Sequence, residues 1–298
     1  RLDLNQTLKS GGRGTTGGRG PQRFRQVLIV GQFAVAMVLL ASAGVHISGL
    51  HELNNRRAGW DSERLVTGHI VLPAGGYGDD DKITAFQHLA SERLTALPGV
   101  ASASFSSFAP FLNWGDVRKF VVGNRESPPP GQEPTAAVNA VSPAYFDTVG
   151  TRVLAGRAFA ERDTATAPRV CMVSEKTARS LFGDKNPVGR RLAPLTTSNP
   201  DWAEIVGVVS DVESAVKNTS PVTLQVYFPL DQEPRRQLEV AVRTSGMIPT
   251  TLVDSIRGLM TTLDPDLPVR RLQPADASIE RANYQIAFGR DIFSGMAV

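Results

Sequence analysis

Cysteine is almost absent from this sequence: Cys171 is the only one in 298 residues. No internal disulfide can form, and no cysteine-based metal site can be assembled. Cys171 lies in the apolar run Arg169-Val-Cys-Met-Val173, where a thiol reads as a small buried hydrophobe and not as a nucleophile. Histidine is scarce too, with four residues, His46, His51, His69 and His88. No two of them stand at ligand spacing with a neighbouring acid, which removes the zinc patterns readable from sequence. There is no Gly-x-Ser-x-Gly elbow, no Gly-x-Gly-x-x-Gly following a strand and no His-Glu-x-x-His. Asp79-Asp-Asp81 lacks the glycine and the terminal glutamate of a calcium loop. Charge of one sign is also lacking over most of the chain. The formal net charge is +3, and residues 1–26 hold much of the excess, with Arg1, Lys9, Arg13, Arg19, Arg23 and Arg25 against Asp3 alone. The remainder is mixed and near neutral, so no nucleic-acid footprint is present.

What the chain does have is one long apolar run. Val27 to Leu50 contains no Asp, Glu, Lys or Arg, and only Gln32, Ser42, His46 and Ser48 interrupt it. About 20 residues of helix span a hydrocarbon core, so residues 27–50 are expected to form a transmembrane helix. The run is too long, and too far from the N-terminus, for a cleaved signal peptide. The basic flank before it sets a cytoplasmic N-terminus, with everything after Leu50 outside. The stretch Gly11 to Gly20 lacks the Gly-Lys-Ser/Thr ending of a phosphate loop and reads as a flexible basic linker, residues 1–26, near anionic headgroups.

Residues 51–283 are expected to be an extracytoplasmic α+β domain. Leu65 to Leu72 reads as a strand. A helix follows Asp79-Asp-Asp81, with Ile83, Phe86, Ala90, Leu94 and Leu97 at helical spacing and Pro98-Gly99 as its stop. Val100 to Ser107 then alternates as a half-buried strand does. A second such unit runs from the strand Leu238–Thr244 through a helix marked by Leu252, Val253, Ile256, Leu259, Met260 and Leu263 to a short strand, Pro268–Leu272. Two β-α-β units, residues 65–109 and 235–283, suit a ferredoxin-like split arrangement. The insertion between them, residues 110–234, is rich in short strands: Lys119–Val122, Ala136–Val141, Arg169–Val173, Ala203–Val209 and Thr223–Phe228. Ser174 caps a short helix ending at Phe182, and the proline-rich segment Arg125–Pro134 reads as a loop. The first residue is Arg1, not Met. Apolar residues gather again in residues 284–298, which read as the start of a further, truncated membrane segment.

Several runs in the middle of the chain carry a resemblance: Val141-Ser-Pro-Ala-Tyr-Phe-Asp-Thr-Val-Gly150, Leu154-Ala-Gly-Arg-Ala-Phe159, Glu161-Arg-Asp163, and Val173 to Phe182. Asn186-Pro-Val-Gly-Arg-Arg-Leu192, Glu204 to Val212 and Leu263-Asp-Pro-Asp-Leu-Pro-Val269 follow in order. Together they resemble the MacB-like periplasmic core domain of FtsX-type ABC transporter permeases. The N-terminal piece, Asp3 to Gly12 and Arg23 to Leu40, is similar to the junction before the second repeat in duplicated acidobacterial permeases. The resemblance implies the bacterial inner membrane as location, with the main domain periplasmic. As partners it implies a separate cytoplasmic ABC ATPase, the remaining permease helices in a dimer, and a periplasmic partner protein, with no nucleic acid. It implies a non-catalytic role, in which the outer domain relays ATP-driven motion outward.

No catalytic, cofactor-binding or metal-binding residue stands out. Asp163, Glu175, Glu204 and Asp211 are scattered among strand ends. Arg157 and Asp163 are placed to pair, as a surface pair of little energetic weight. Gly150, Gly156, Gly189 and Gly207 suit turns or close backbone approach. Tyr145, Phe146, Phe159 and Phe182 read as core anchors, and Trp202 opens a buried strand. Two other classes fit the composition: a single-pass anchored sensor or binding module, and an anchored hydrolase, for which no acid/base group is visible.

Overall fold

The computed structural model describes residues 28–38, 59–109, 116–123, 129, 131–195, 200–213, 224–281 and 284, within two units, residues 1–57 and 58–298. In the first unit, residues 28–38 form helix α1, and Val30, Phe33 and Met37 are exposed on it. The second half of the apolar run, residues 39–50, lies outside the described residues, as do Val27, His46 and His51. Among the described residues no helix is long and apolar enough to cross a membrane.

The second unit is α+β, in two halves. Its first half uses the beginning and end of the sequence. β1 (Leu65–Val71), α2 (Asp80–Thr95) and β2 (Val100–Ser106) come first; β10 (Gln237–Thr244), α5 (Pro249–Leu263) and β11 (Arg270–Pro274) come last. The four strands lie in the order β11-β1-β10-β2, every neighbour antiparallel. That is the interleaved order of a split β-α-β fold, since the second unit inserts its first strand between those of the first. Both helices present a stripe at spacings of three and four to the same face of the sheet. Ile83, Phe86, Ala90 and Leu94 of α2, with Leu252, Ile256 and Met260 of α5, close over Val66, Ile70, Phe105, Leu238, Val240 and Val242. Gly99, at φ +86°, makes the turn that releases α2 into β2. The acids before α2 act by charge alone: Asp79 occupies the N-cap without a side-chain hydrogen bond, while Asp80 and Asp81 sit in the first turn.

The other half is a barrel. β3 (Asp116–Val122), β4 (Thr135–Val141), β9 (Gln225–Pro229), β6 (Val170–Ser174), β8 (Ala203–Val209) and β7 (Arg191–Pro194) pair in that order, and β7 pairs back onto β3. The ring therefore closes on itself, which removes the free edges of its six strands. Phe120, Val138, Cys171, Val173, Leu192, Ile205, Val226 and Phe228 alternate onto one face and form one cluster, joined by Ala178, Leu181 and Phe182 of α4 (Glu175–Phe182). Ser174 caps α4 by accepting from the Thr177 N–H at 3.4 Å. A short helix, α3 (Tyr145–Val149), and an edge strand, β5 (Val153–Gly156), complete this half. Sequence periodicity predicts neither of these, nor β7, and none of the three is longer than five residues. The return strand after α5 runs Arg270–Pro274, two residues beyond its expected place. Residues 275–281 continue as a short helix.

Candidate functional site at the joint between sheet and barrel

Two chain crossings connect the halves, one after β2 and one from β9 to β10. Each is held by buried polar side chains. At the first, Asn139 of β4 accepts from the Ser107 hydroxyl (3.0 Å) and the Phe108 N–H (3.1 Å), and donates to the Phe108 carbonyl (3.0 Å). The Ser107 hydroxyl in turn accepts from the Ala140 N–H. Asn139 is fully buried, so these bonds replace the water it has lost. β2 and β4 also touch directly through the pair Ser106–Val141.

At the second crossing stands Glu233, 7% exposed. Arg118 reaches it with two parallel bonds of 2.9 Å, Arg235 with one of 2.9 Å, and Arg169 with another. Asp116 and Asp201 balance the outer side, bound to Arg118 at 2.6 Å and Arg169 at 2.9 Å. Arg169 also lies over the Phe228 ring, 5.2 Å from its centre. Burial works against the charge on Arg118, but the bonds to Glu233 and Asp116 outweigh it and hold the guanidinium ionised. Three carboxylates meet three guanidiniums, so no net positive field remains to hold an anion. Two residues before Glu233, Asp231 receives His88 of α2 at 3.0 Å, and Glu161 stands 3.9 Å from the other ring nitrogen.

Between the crossings the halves share a core. Leu65, Ala241 and Ala275 from the sheet side meet Tyr145, Phe146 and Val149 of α3 and Val170, Met172, Val206, Val209 and Tyr227 of the barrel. Phe146 makes edge-to-face contact with Tyr145 (5.4 Å) and Tyr227 (5.2 Å) and lies 6.1 Å from Phe159. Such pairs add about 0.5–1.5 kcal/mol each beyond the area they bury. Burial pushes the Tyr145 and Tyr227 hydroxyls above their ordinary range, so both stay protonated, and Tyr227 donates to Gln225 at 3.1 Å.

The residues singled out from sequence end in separate structural roles. Arg157 grips Asp163 with two bonds, 2.7 and 2.8 Å, and the Ala160 N–H adds a third at 2.9 Å. Asp163 is 5% exposed, so this is a buried clamp on the loop after β5, not the weak surface pair expected. Burial opposes ionisation of Asp163, yet Arg157 and the Ala160 N–H hold its carboxyl below the usual range. Glu175 pairs with Arg179 one helical turn on (2.8 Å), and Asp211 accepts from the Lys176 N–H at the start of α4 (2.8 Å). Glu204 is exposed on β8. His69 meets Glu239 across the β1–β10 ladder at 2.8 Å. Two histidines thus have acid neighbours that sequence spacing did not reveal. Among the described residues no three metal-ligating side chains converge. Cys171 is buried, and burial pushes its thiol up. Tyr145, Phe146, Phe159 and Phe182 are all buried, whereas Trp202 is 37% exposed just ahead of a buried strand. The Asn139 and Glu233 nodes, both absent from the sequence reading, carried little local signal, because the partners named here, Arg235 apart, lie 31 to 115 residues away.

An open cleft of about 510 Å³ lies where Pro234, Arg235 and Arg236 of the second crossing pass Tyr77, Asp80 and Ile83. Tyr77 donates to Asp264 at 2.8 Å; burial and this carboxylate push its hydroxyl up to about 12. No Ser, Thr, Cys, His or Lys side chain is among the described residues lining the cleft.

A ferredoxin-like sheet and a closed barrel, joined by buried hydrogen-bond and ion-pair networks, define a two-lobed α+β domain. Residues 27–259 match the model of the MacB-like periplasmic core domain. The chain belongs to that family, the periplasmic domain of ABC transporter permeases. It is 28% identical over 160 residues to the macrolide export ATP-binding/permease protein MacB of Acinetobacter baylyi, covering 53% of this chain and 22% of that protein. It is 30% identical over 81 residues to the uncharacterized ABC transporter permease YknZ of Bacillus subtilis, covering 27% of this chain and 19% of that protein. The matches thus span about a fifth of the length of these relatives. The crystal structure of the periplasmic region of MacB from Actinobacillus actinomycetemcomitans shares the fold. Its TM-score is 0.50 at 18% identity, over 78% of this chain and 98% of that one.

Proposed function

We propose that this chain is the anchored outer domain of an ABC-type permease, a non-catalytic lever that passes ATP-driven helix motion outward as one rigid body. Residues 27–50 are the transmembrane anchor, with the N-terminus cytoplasmic, residues 51–283 periplasmic and a further membrane segment starting within residues 284–298. A separate cytoplasmic ATPase, the remaining permease helices in a dimer and a periplasmic protein are the partners. The observation that carries this reading is the shared core beneath Tyr145, Phe146 and Tyr227, flanked at both crossings by the buried Asn139 and Glu233 nodes. A lever must not bend at its joint, and here each connection between the lobes is packed or ion-paired. Family membership supports the permease setting. The scattered roles of the acids and histidines favour a mechanical part over a hydrolase.

The test uses the complete permease with its ATPase in lipid nanodiscs. A donor fluorophore on Gly76→Cys, an exposed position with open space around its Cα, reports energy transfer to acceptor lipids. The transfer should differ between ATP-vanadate and ADP. Unchanged transfer in a complex that still hydrolyses ATP contradicts the lever.

A further inference from the structure

The two helices that cover the sheet differ in what their outer faces carry. α5 exposes no large apolar side chain between Pro249 and Leu263, whereas α2 exposes Leu89, at 43%, in the middle of its outer face. Around Leu89 that face is small or charged. Asp81, Lys82, Ala85, Glu92 and Arg93 are all exposed. None of the four charged side chains has an ion-pair partner among the described residues, while the neighbouring His88 turns aside to Asp231. At about 3.6 residues per turn, Asp81 and Glu92 lie about three turns apart along one flank of this face. Lys82 and Arg93 lie about three turns apart along the other flank, with Ala85 and Leu89 between the two.

The field of the helix itself accounts for only half of this pattern. Asp81 in the first turn and Arg93 in the last have the signs that those ends favour. Lys82 in the first turn and Glu92 in the last have the opposite signs, and no pair within the chain offsets them. An acidic flank and a basic flank on either side of an apolar seam suit a parallel, two-fold helix pair. With the helices parallel, each acidic flank meets the partner's basic flank: Asp81 stands beside the partner's Lys82, and Glu92 beside the partner's Arg93, twice over by symmetry. With the helices antiparallel, each flank would meet its own copy, acid against acid and base against base. Ala85 is small enough to let the two backbones approach around Leu89.

We infer that the outer face of α2 is a contact between two copies of this chain, their α2 helices parallel across a two-fold axis. This rests on the dimer proposed above, and adds which surface the two outer domains share. One helix face is too small to hold a dimer alone, since stable interfaces bury at least about 1,200 Å². It acts between copies already joined, where the effective concentration of each face for the other is high.

Disulfide cross-linking in the complete permease with its ATPase, in lipid nanodiscs, tests it; Cys171 is buried and does not compete. A parallel pair sets each seam position against its own copy. Ala85→Cys and Leu89→Cys should therefore each cross-link to themselves, and Lys185→Cys in the barrel should not. Asp81→Lys with Glu92→Lys should lower the Leu89→Cys yield about tenfold at low salt. Adding Lys82→Glu with Arg93→Glu to the same chain should restore it. Native mass spectrometry gives the number of copies in the complex. Two copies with no cross-link at Ala85 or Leu89 overturn the α2 contact and leave the dimer standing, whereas a single copy overturns both. Cross-linking only in a mixture of the Ala85→Cys and Leu89→Cys chains marks an antiparallel pair and overturns the inference. A yield that ignores the charge reversal overturns it too.

Discussion

Glu233 and Asp163 show how differently two buried carboxylates can be held. Glu233 binds three guanidiniums from three parts of the chain, so Glu233→Gln leaves Arg118, Arg169 and Arg235 without their shared anion. Breaking a buried pair from one side costs about 3–5 kcal/mol. Urea unfolding of the variant should show a loss of about 3 kcal/mol, and a loss below about 1 kcal/mol would place the node in solvent-like surroundings. Asp163 has a lowered pKa in the folded state, so its contribution is complete above the unfolded value, about 3.9. It is lost as the pH falls from there through the folded value. The stability gap between the wild type and Asp163→Asn should be constant from pH 7 to 5 and shrink at lower pH; a gap that widens on acidification contradicts the clamp. Cys171 should resist thiol reagents at pH 8 until denaturant is added, because it is buried and its thiol is pushed up.

At the scale of elements, backbone proximity explains what side chains do not. Gly156 of β5 pairs with Gly207 of β8, and a Cβ on either would collide with backbone: the Val206 carbonyl for Gly156, the Arg157 carbonyl for Gly207. Gly207→Val should destabilise by about 3 kcal/mol, the cost of forcing a side chain against the Arg157 carbonyl, read from the unfolding midpoint. Ile248→Ser should do the opposite and raise the stability of the chain by about 1 kcal/mol, by supplying the missing cap of α5. An unchanged midpoint would mean the first turn of α5 is satisfied without a cap. The long elements were legible because each repeats one period: Ile83, Phe86, Ala90 and Leu94 for α2, and the alternation of Val100 to Ser106 for β2. β5, β7 and α3 were not legible, being too short for a period to appear. Barrel closure was not legible either, since it depends on the parallel pairing of β4 with β9, whose partners Val138 and Val226 lie far apart in sequence. The glycines were readable as sites of close approach, but their partners were not. The Arg157–Asp163 pair was readable by spacing, whereas its burial depends on the surrounding fold.

For the whole molecule, the unit of residues 58–298 has one packed joint between a sheet lobe, which holds β1, β2, β10 and β11, and a barrel lobe. The sheet lobe contains both chain entry and exit, so under the proposed lever a displacement of anchored helices would reach it first. Under the same proposal the core around Phe146 and the two polar nodes would carry that displacement into the barrel. The most direct measurement is a spin-label distance between Gly76→Cys in the sheet lobe and Lys185→Cys in the barrel, in the complete permease with its ATPase. The account predicts one narrow distance distribution, unchanged between ADP and ATP-vanadate, which broadens when Glu233→Gln is added. Two populations in the wild type, or a distance that moves with nucleotide, would contradict it and make the joint a hinge.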